Sequence, residues 1–262
     1  FSPTGTTRKI VTATAKGLSR ALKTDLEEYD FTLPKARTQS LRFTDSDLVV
    51  LGTPVYAGRV PNVLLPYLNT MQGNGALAVP VVLFGNRDYD DALIELRDIL
   101  ENNGLHTIAA GAFVGEHSFS RILAKDRPDM KDMDIVDEFV RKICEKYKTD
   151  TLSHPIPVSG TPYPYRGYYT PRDRQGTPVD IRKVKPLTND RCNNCKHCAK
   201  VCPMGSISYE NVRELTGICI KCGACIKKCP KQAKYYEDTG YLYHQHELEE
   251  GLTRRAENTF FI

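Results

Sequence analysis

No apolar run in these 262 residues is long enough to span a bilayer. The longest, residues 76–84, is interrupted by Pro80, so no transmembrane helix and no membrane partner are expected. The start of the chain has no charged-then-apolar leader, and no secretory signal is read there. Two nucleotide fingerprints are also missing. The first loop has no G-x4-G-K-[ST], which excludes an NTPase P-loop there, and no G-x-G-x-x-G follows a strand-like run, which leaves a Rossmann-type dinucleotide site unsupported. No Ser/His/Asp arrangement or paired-carboxylate signature is legible. The six histidines form no pattern. His197 is not needed as a ligand, and His117 reads as a surface-loop residue. Cysteine is almost absent from most of the chain: outside one short segment only Cys144 occurs, on the apolar side of a helical stretch, where core packing is expected. The remaining composition, 40% hydrophobic and 26% charged, is that of a globular chain with room for one large domain or two ordinary ones.

The other eight cysteines are concentrated in two copies of one pattern, 27 residues apart. The first is Cys192-x2-Cys195-x2-Cys198-x3-Cys202-Pro203, and the second is Cys219-x2-Cys222-x2-Cys225-x3-Cys229-Pro230. Structural zinc uses paired knuckles, so a third cysteine at x2 in both copies argues against it. A disulfide scaffold belongs to short secreted chains. The spacing resembles that of bacterial two-cluster ferredoxins, in which each motif gives three thiolates to one [4Fe–4S] cluster and its last to the other. The resemblance implies Cys192, Cys195, Cys198 and Cys229 on one cluster, and Cys219, Cys222, Cys225 and Cys202 on the second. Thiolate clusters without an export signal point to the reducing cytoplasm.

The formal charge of +4 changes meaning once clusters are counted, because each oxidised unit with four thiolates adds about −2. The nearby lysines (Lys196, Lys200, Lys221, Lys227, Lys228, Lys231 and Lys234) offset that charge or form a docking face for a redox partner. Without a recognition motif they do not indicate a nucleic-acid partner.

The first 150 residues alternate helix and strand signals. Helices are expected over 7–22, 60–71, 89–103 (with Gly104 at the C-terminal cap) and 130–148. Strands are expected over 25–31, 47–56, 76–84 and 106–114. Such alternation indicates an α/β fold with a doubly wound parallel sheet. The first helix is entered through Ser2-Pro3-Thr4-Gly5-Thr6-Thr7, where hydroxyls, a glycine and a helix N-terminus make a ready anion site. N-capping by a hydroxyl alone is the plainer reading of that loop.

Ser2-x-Thr4-Gly5-x-Thr7 resembles the FMN-phosphate loop of flavodoxins. Thr53-Pro54-Val55-Tyr56-Ala57-Gly58-Arg59 and Gly85-Asn86-Arg87-Asp88-Tyr89-Asp90 fall where flavodoxins contact the flavin ring. The resemblance implies that Tyr56 or Tyr89 stacks on the ring, and that backbone groups at residues 53–58 and at Gly85 and Asn86 bond its polar edge. The whole chain resembles the flavodoxin–ferredoxin fusion proteins of anaerobic bacteria. It departs from that family at the start. Flavodoxins have a central strand before the phosphate loop, whereas this sequence begins at the loop. Truncation is the expected reason, and without that strand its two neighbours lose their pairing partner.

Four segments follow from these readings: a flavodoxin-like FMN domain (1–150), a Pro/Tyr-rich strap (151–186), a small α+β two-cluster ferredoxin-like domain (187–237) and a tail (238–262), helical over 244–255, with Phe260-Phe261-Ile262 docked on a domain. The strap holds seven prolines and four tyrosines, too many prolines for a long helix. The function implied is electron transfer between FMN, two [4Fe–4S] clusters and an outside redox partner. Flavin-dependent reduction of a small organic substrate, in a pocket roofed by residues 113–121, is the alternative. A third reading makes the clusters structural or sensory.

Overall fold

The computed structural model describes residues 1–149, 152–173 and 175–262. Its sheet is built on β1 (Leu48–Pro54), β2 (Leu77–Phe84), β3 (His106–Thr107) and β4 (Ala110–Val114), all parallel, with β7 (Thr259–Phe261) antiparallel on the outer edge of β4. Strand β2 shows why helices lie on both faces. Its odd residues Val79, Val81 and Leu83 join one buried cluster, and its even residues Ala78, Val82 and Phe84 join another. The first cluster is closed by α1 (Thr6–Leu22) and α4 (Met130–Tyr147). The stripe Ile10, Thr14, Leu18 is the buried face of α1, and Val136, Phe139, Val140 and Ile143 that of α4, where Cys144 also lies. The second cluster is closed by the short α2 (Leu65–Leu68) and by α3 (Ala92–Asn102). Among the described residues no helix is long and apolar enough to cross a membrane.

Four expected elements differ. The helix expected over 60–71 is reduced to a 3-10 turn (Asn62–Leu64) and the four-residue α2, because Pro66 has no N–H with which to continue a helix begun at residue 60. The strand expected over 106–114 is split into β3 and β4. Pro80 of β2 has no N–H to offer that neighbour. Between Ala78↔Thr107 and Val81↔Gly111 one extra residue is inserted opposite it, a bulge that ends one short ladder and starts the next. No strand forms over 25–31, which has no sheet neighbour: the sheet order ends at β1, whose outer side receives the Phe1 amino group on Gly52 O at 3.1 Å. The tail helix, α7 (Thr239–Gly251), begins earlier than expected because the Asp238 carboxylate caps it by accepting from Tyr241 N–H, and it ends at Gly251 rather than at residue 255.

The strap crosses the α3 face. Ile156 N–H donates to Thr107 O, Tyr165 O–H to Asp98, Tyr168 O–H to Val60 O and Tyr169 N–H to Ala57 O. Arg59 is held by Glu95 and lies over the rings of Tyr165 and Tyr168 at 4.7 and 5.1 Å. Asp91, fully buried, accepts from the Thr161 and Arg166 amides and from the Arg166 guanidinium. Those bonds hold its carboxyl well below the ordinary carboxylate range. A depressed folded pKa adds stability above the unfolded value near 4 that is lost as pH falls further. The protection factors of the Thr161 and Arg166 amides are therefore expected to fall below about pH 4, before those of β2. Hydrogen exchange read residue by residue checks this, and unchanged strap protection at pH 3 would refute it.

The cluster-bearing segment is a small α+β unit. The strands β5 (Leu187–Thr188) and β6 (Lys234–Tyr235) pair antiparallel, and α5 (His197–Lys200) and α6 (Ala224–Lys227) each follow a cysteine loop. After it the chain returns through α7 to add β7 to the first sheet, where Phe260 packs on Phe139 at 5.3 Å. The unit is thus tied to the sheet domain at both ends.

Candidate redox site

The cysteines gather around two cavities. One, of about 310 Å³ including its open part, is lined by Cys192, Cys195, Cys198 and Cys229. The other, of about 350 Å³, is lined by Cys202, Cys219, Cys222 and Cys225. Each motif sends its last cysteine to the other motif's cavity. The size of these sites bears on what they hold. Four sulfurs on one tetrahedral zinc lie about 3.8 Å apart, given a Zn–S bond of about 2.3 Å. Among the described residues no three cysteine sulfurs come within 4.8 Å of one another. The sites are too wide for a single ion and suit a multi-iron core.

The surroundings of the sulfurs also fit a cluster. Backbone N–H groups point at them: Asn194 at Cys192 Sγ, Ser206 at Cys202 Sγ (both 3.4 Å) and Ala233 at Cys229 Sγ (3.3 Å). Burial works to raise the Cys229 thiol, yet the N–H groups around it prevail and hold it below its ordinary value. Cys222 and Cys225 lie deeper. Burial pushes Cys222 up to about 12 and Cys225 higher still. Such thiols ionise only when a metal supplies compensating charge, so filling this cavity releases protons.

The second cavity is the one pressed against the sheet domain. Gly223 sits at φ 71°, and a Cβ there would lie 2.5 Å from Ser118 O, so only glycine permits this backbone-to-backbone approach. The Lys227 ammonium donates to Glu116 and to His117 O, the Arg121 guanidinium to Ile226 O at 3.3 Å, and Arg37 to Pro203 O at 2.7 Å. Tyr56, at the end of the β1 loop, lies beside Cys222 and Cys219; burial first, then those sulfurs, raise its phenol well above the ordinary range. An aromatic series fills the rest of the junction. His117 meets Phe119 at 5.3 Å, Phe119 meets Tyr241 at 4.7 Å, Tyr241 meets Tyr236 at 4.1 Å, and the Tyr236 hydroxyl is 3.8 Å from Cys219 Sγ.

Here one expectation is corrected. His117 is not a surface-loop residue. A Cβ on Gly85 would collide with its ring, and burial, with Lys227 close by, drops its pKa to about 3. Residues 116–121, read as part of a pocket roof, carry docking contacts of the cysteine unit. Of the seven lysines read as charge compensation or a docking face, three are occupied inside the molecule. Lys221 donates to Arg182 O and Cys219 O, Lys234 to Val212 O, and Lys227 bridges the domains. Sequence reasoning missed Arg37, Glu116 and Ser118, which carry no local motif, and Phe119, Tyr236 and Tyr241, whose importance is in their contacts.

At the phosphate-type loop, Gly5 caps α1 at φ 105° with no side-chain cap. Ser2 Oγ accepts from Arg8 N–H (2.9 Å), and Thr4 Oγ lies 3.5 Å from Thr6 Oγ. Among the described residues the N–H groups of Gly5, Thr6 and Thr7 have no protein acceptor, so three donors at the positive end of a 17-residue helix stand ready for an anion. Thr53 is fully buried, and its hydroxyl is unpartnered in the protein. The loop around Ala57 and Gly58 is fixed by Tyr169 N–H on Ala57 O and Asp91 N–H on Gly58 O; Pro54, Val55 and Tyr56 are part-buried beside it. In the third loop the Asn86 side chain is committed to the tail, donating to Leu252 O and Arg254 O and accepting from Ala256 N–H. Asp90 pairs with Arg87, and the Tyr89 ring packs on Phe84 at 5.6 Å. Of the two tyrosines named for stacking, Tyr56 is the one beside the cysteine unit.

Residues 191–234 match the family model described as a 4Fe-4S dicluster domain. No curated protein matches the sequence closely enough to count as a relative. Among solved structures, the chain is similar to a flavodoxin of Streptococcus pneumonia TIGR4 at 19% identity, over 55% of this chain and 92% of that one, with a TM-score of 0.37. It is also similar to rubredoxin oxygen:oxidoreductase from the anaerobe Desulfovibrio gigas (13% identity, 57% of this chain and 35% of that one, TM-score 0.38). A third likeness is to the Flv1 flavodiiron core from Synechocystis sp. PCC6803 (17% identity, 55% and 33%, TM-score 0.33). The chain spans about a third of the length of these last two. The molecule joins an α/β domain with a mixed sheet to a C-terminal 4Fe–4S ferredoxin-type domain.

Proposed function

We propose that this protein transfers electrons between FMN in the sheet domain, two [4Fe–4S] clusters in the C-terminal unit and an outside redox partner. The observation that carries this reading is the junction: the second cysteine cavity is held against the loop that follows β4 by Gly223 and Lys227, against residues 34–37 by the Arg37–Pro203 bond, and has Tyr56 of the β1 loop beside it. In the proposed site Cys192, Cys195, Cys198 and Cys229 hold the outer cluster, and Cys202, Cys219, Cys222 and Cys225 the inner one. The free N–H groups of Gly5, Thr6 and Thr7, with the hydroxyls of Thr4 and Thr6, hold the FMN phosphate. FMN supplies a carrier able to take one or two electrons, whereas each cluster takes one. The protein's part is position and tuning. N–H donors on the sulfurs favour the more negative cluster, and the aromatic series and Tyr56 keep water out of the gap. The outer cavity includes the exposed Cys195 and provides the natural place for exchange with a partner.

The test is an anaerobic assay of iron and FMN on purified protein, followed by reductive titration in absorbance. About eight irons and one FMN per chain are expected, with flavin and cluster bands bleaching together. Protein that retains its iron but binds no added FMN would overturn the flavin half of the proposal.

Thr53 gives a sharper check, because an unpartnered buried hydroxyl is costly in the protein alone and useful once a ligand meets it. Thr53→Val is expected to stabilise the FMN-free protein by about 1 kcal/mol and to weaken FMN binding roughly tenfold, the loss of about one hydrogen bond. Thermal melts with and without FMN read both. Equal shifts in the two states would show that the Thr53 hydroxyl does not meet the flavin.

A further inference from the structure

Glu101, His106 and His154 meet at the opposite end of the sheet from the redox loops. Glu101 is in the last turn of α3, His106 opens β3, and His154 lies at the start of the strap. One carboxylate oxygen of Glu101 is occupied: it accepts from Thr107 N–H at 2.6 Å and from the Thr107 hydroxyl. The other faces Nδ1 of His106 at 4.0 Å and Nδ1 of His154 at 3.7 Å. The two imidazoles stack with centroids 3.9 Å apart. One donor atom from each of the three residues falls within 4.8 Å of the others.

These separations are too long for direct hydrogen bonds and close to what one ion requires. Nitrogen and oxygen ligands at about 2.0–2.2 Å from a tetrahedral metal lie about 3.3–3.6 Å from one another. His106 Nδ1 is buried and has no hydrogen-bond partner. A buried ring nitrogen without a partner is unfavourable, and a cation between the three groups would satisfy it together with the free carboxylate oxygen. Thr107 meanwhile fixes the orientation of Glu101, as supporting groups do at metal sites. Two imidazoles and a carboxylate suit a borderline cation such as zinc rather than calcium or magnesium. The imidazoles are 38 and 39% exposed, which leaves solvent access to a remaining coordination position.

We propose that Glu101, His106 and His154 bind one divalent transition-metal ion of the zinc class. The ion clips the strap to the sheet domain at the point where Ile156 N–H already bonds Thr107 O at 3.0 Å. It is separate from the cysteine sites in donor type and position, and does not depend on the flavin.

The test uses the full chain with its iron–sulfur sites filled, incubated anaerobically with zinc alone and then desalted. Wild-type protein is expected to retain one zinc per chain with its iron content unchanged. His154→Ala and His106→Ala should retain the same iron and bind zinc at least tenfold more weakly. X-ray absorption at the zinc edge should give a shell of nitrogen and oxygen only, a reading that needs no variant. Zinc retained equally by wild type and both variants, a sulfur-containing shell, or no retention by the wild type would each overturn the proposal, and the last would leave an adventitious pairing of two histidines with a glutamate.

Discussion

Cys222→Ala is expected to halve the iron content, from about eight to about four per chain, and to isolate the flavin from the cluster that remains. Cys222 lines the inner cavity with Cys202, Cys219 and Cys225, beside Tyr56 and next to the Gly223–Ser118 contact. Alanine removes the sulfur without offering a substitute oxygen ligand. The outer cavity draws three of its cysteines from the first motif, so it should still assemble. It would do so less tightly, because its fourth ligand, Cys229, follows the emptied loop of the second motif. FMN content should be unchanged, since residues 2–7 lie outside the affected unit. Electrons supplied to the outer cluster should then fail to reach the flavin, because transfer falls steeply with distance and the inner cluster is the intermediate stop. The contrasting variant is Cys195→Ala, which should also halve the iron but leave the inner cluster and its exchange with the flavin intact. Iron assay, FMN assay and rapid-mixing absorbance on both variants decide the matter. Full iron in Cys222→Ala would contradict the ligand assignment. Undisturbed flavin reduction through the outer cluster would contradict the order of the carriers.

How much of this was legible follows from how local each feature is. The cysteine motifs are local: three cysteines within seven residues and a fourth before a proline, twice, read directly from the chain. Helices α1 and α4 were legible because their apolar stripes repeat at helical spacing. The split of the last strand had a signal that was not used. Pro80 lacks the N–H that an adjacent strand needs, and the bulge stands opposite it. Asp238 was likewise a readable cap for α7. The strand expected over 25–31 shows the opposite limit. Strand propensity is realised only beside another strand, and none pairs with that stretch. The domain junction was not legible at all. Arg37 meets Pro203 across 166 positions and Lys227 meets Glu116 across 111, and no local pattern marks Arg37 or Glu116 or pairs them with residues of the cysteine motifs. His117 was misread because its ring packs between Gly85, more than 30 positions earlier, and Phe119, while Lys227 of the cysteine unit binds its carbonyl. Asn86 was read for its backbone, while its side chain holds residues more than 160 positions further on.

The tail anchor should carry the largest share of stability that any single charged group provides here. Asp132 is fully buried at the start of α4 and pairs with Arg127, whose side chain is only 5% exposed. Its carboxylate also accepts from Arg255, Asn258 and Asp129 N–H, while Arg127 donates to Ala256 O. One carboxylate thus caps α4, fixes the loop that docks on the cysteine unit and holds the tail segment leading into β7. Burial alone would raise its pKa, but the bonds from Arg127, Asn258 and the Asp129 amide outweigh it and hold it below the ordinary range. Asp132→Ala leaves the Arg127 guanidinium buried without its counter-charge, and breaking such a pair costs about 3–5 kcal/mol. For a chain of this length that corresponds to a fall in melting temperature of roughly 10 °C. Because β7 is tied through the same group, the variant should also expose the tail to protease before the rest of the chain unfolds. Replacing both partners, Arg127→Met with Asp132→Leu, removes the uncompensated charge and should recover part of the loss. The pH profile supplies an independent sign. The depressed Asp132 pKa stabilises the wild type above about pH 4 and ceases to do so as pH falls below it. The wild-type–variant difference should therefore narrow in acid, and a constant difference from pH 7 to pH 3 would show that the carboxylate charge is not what holds the tail.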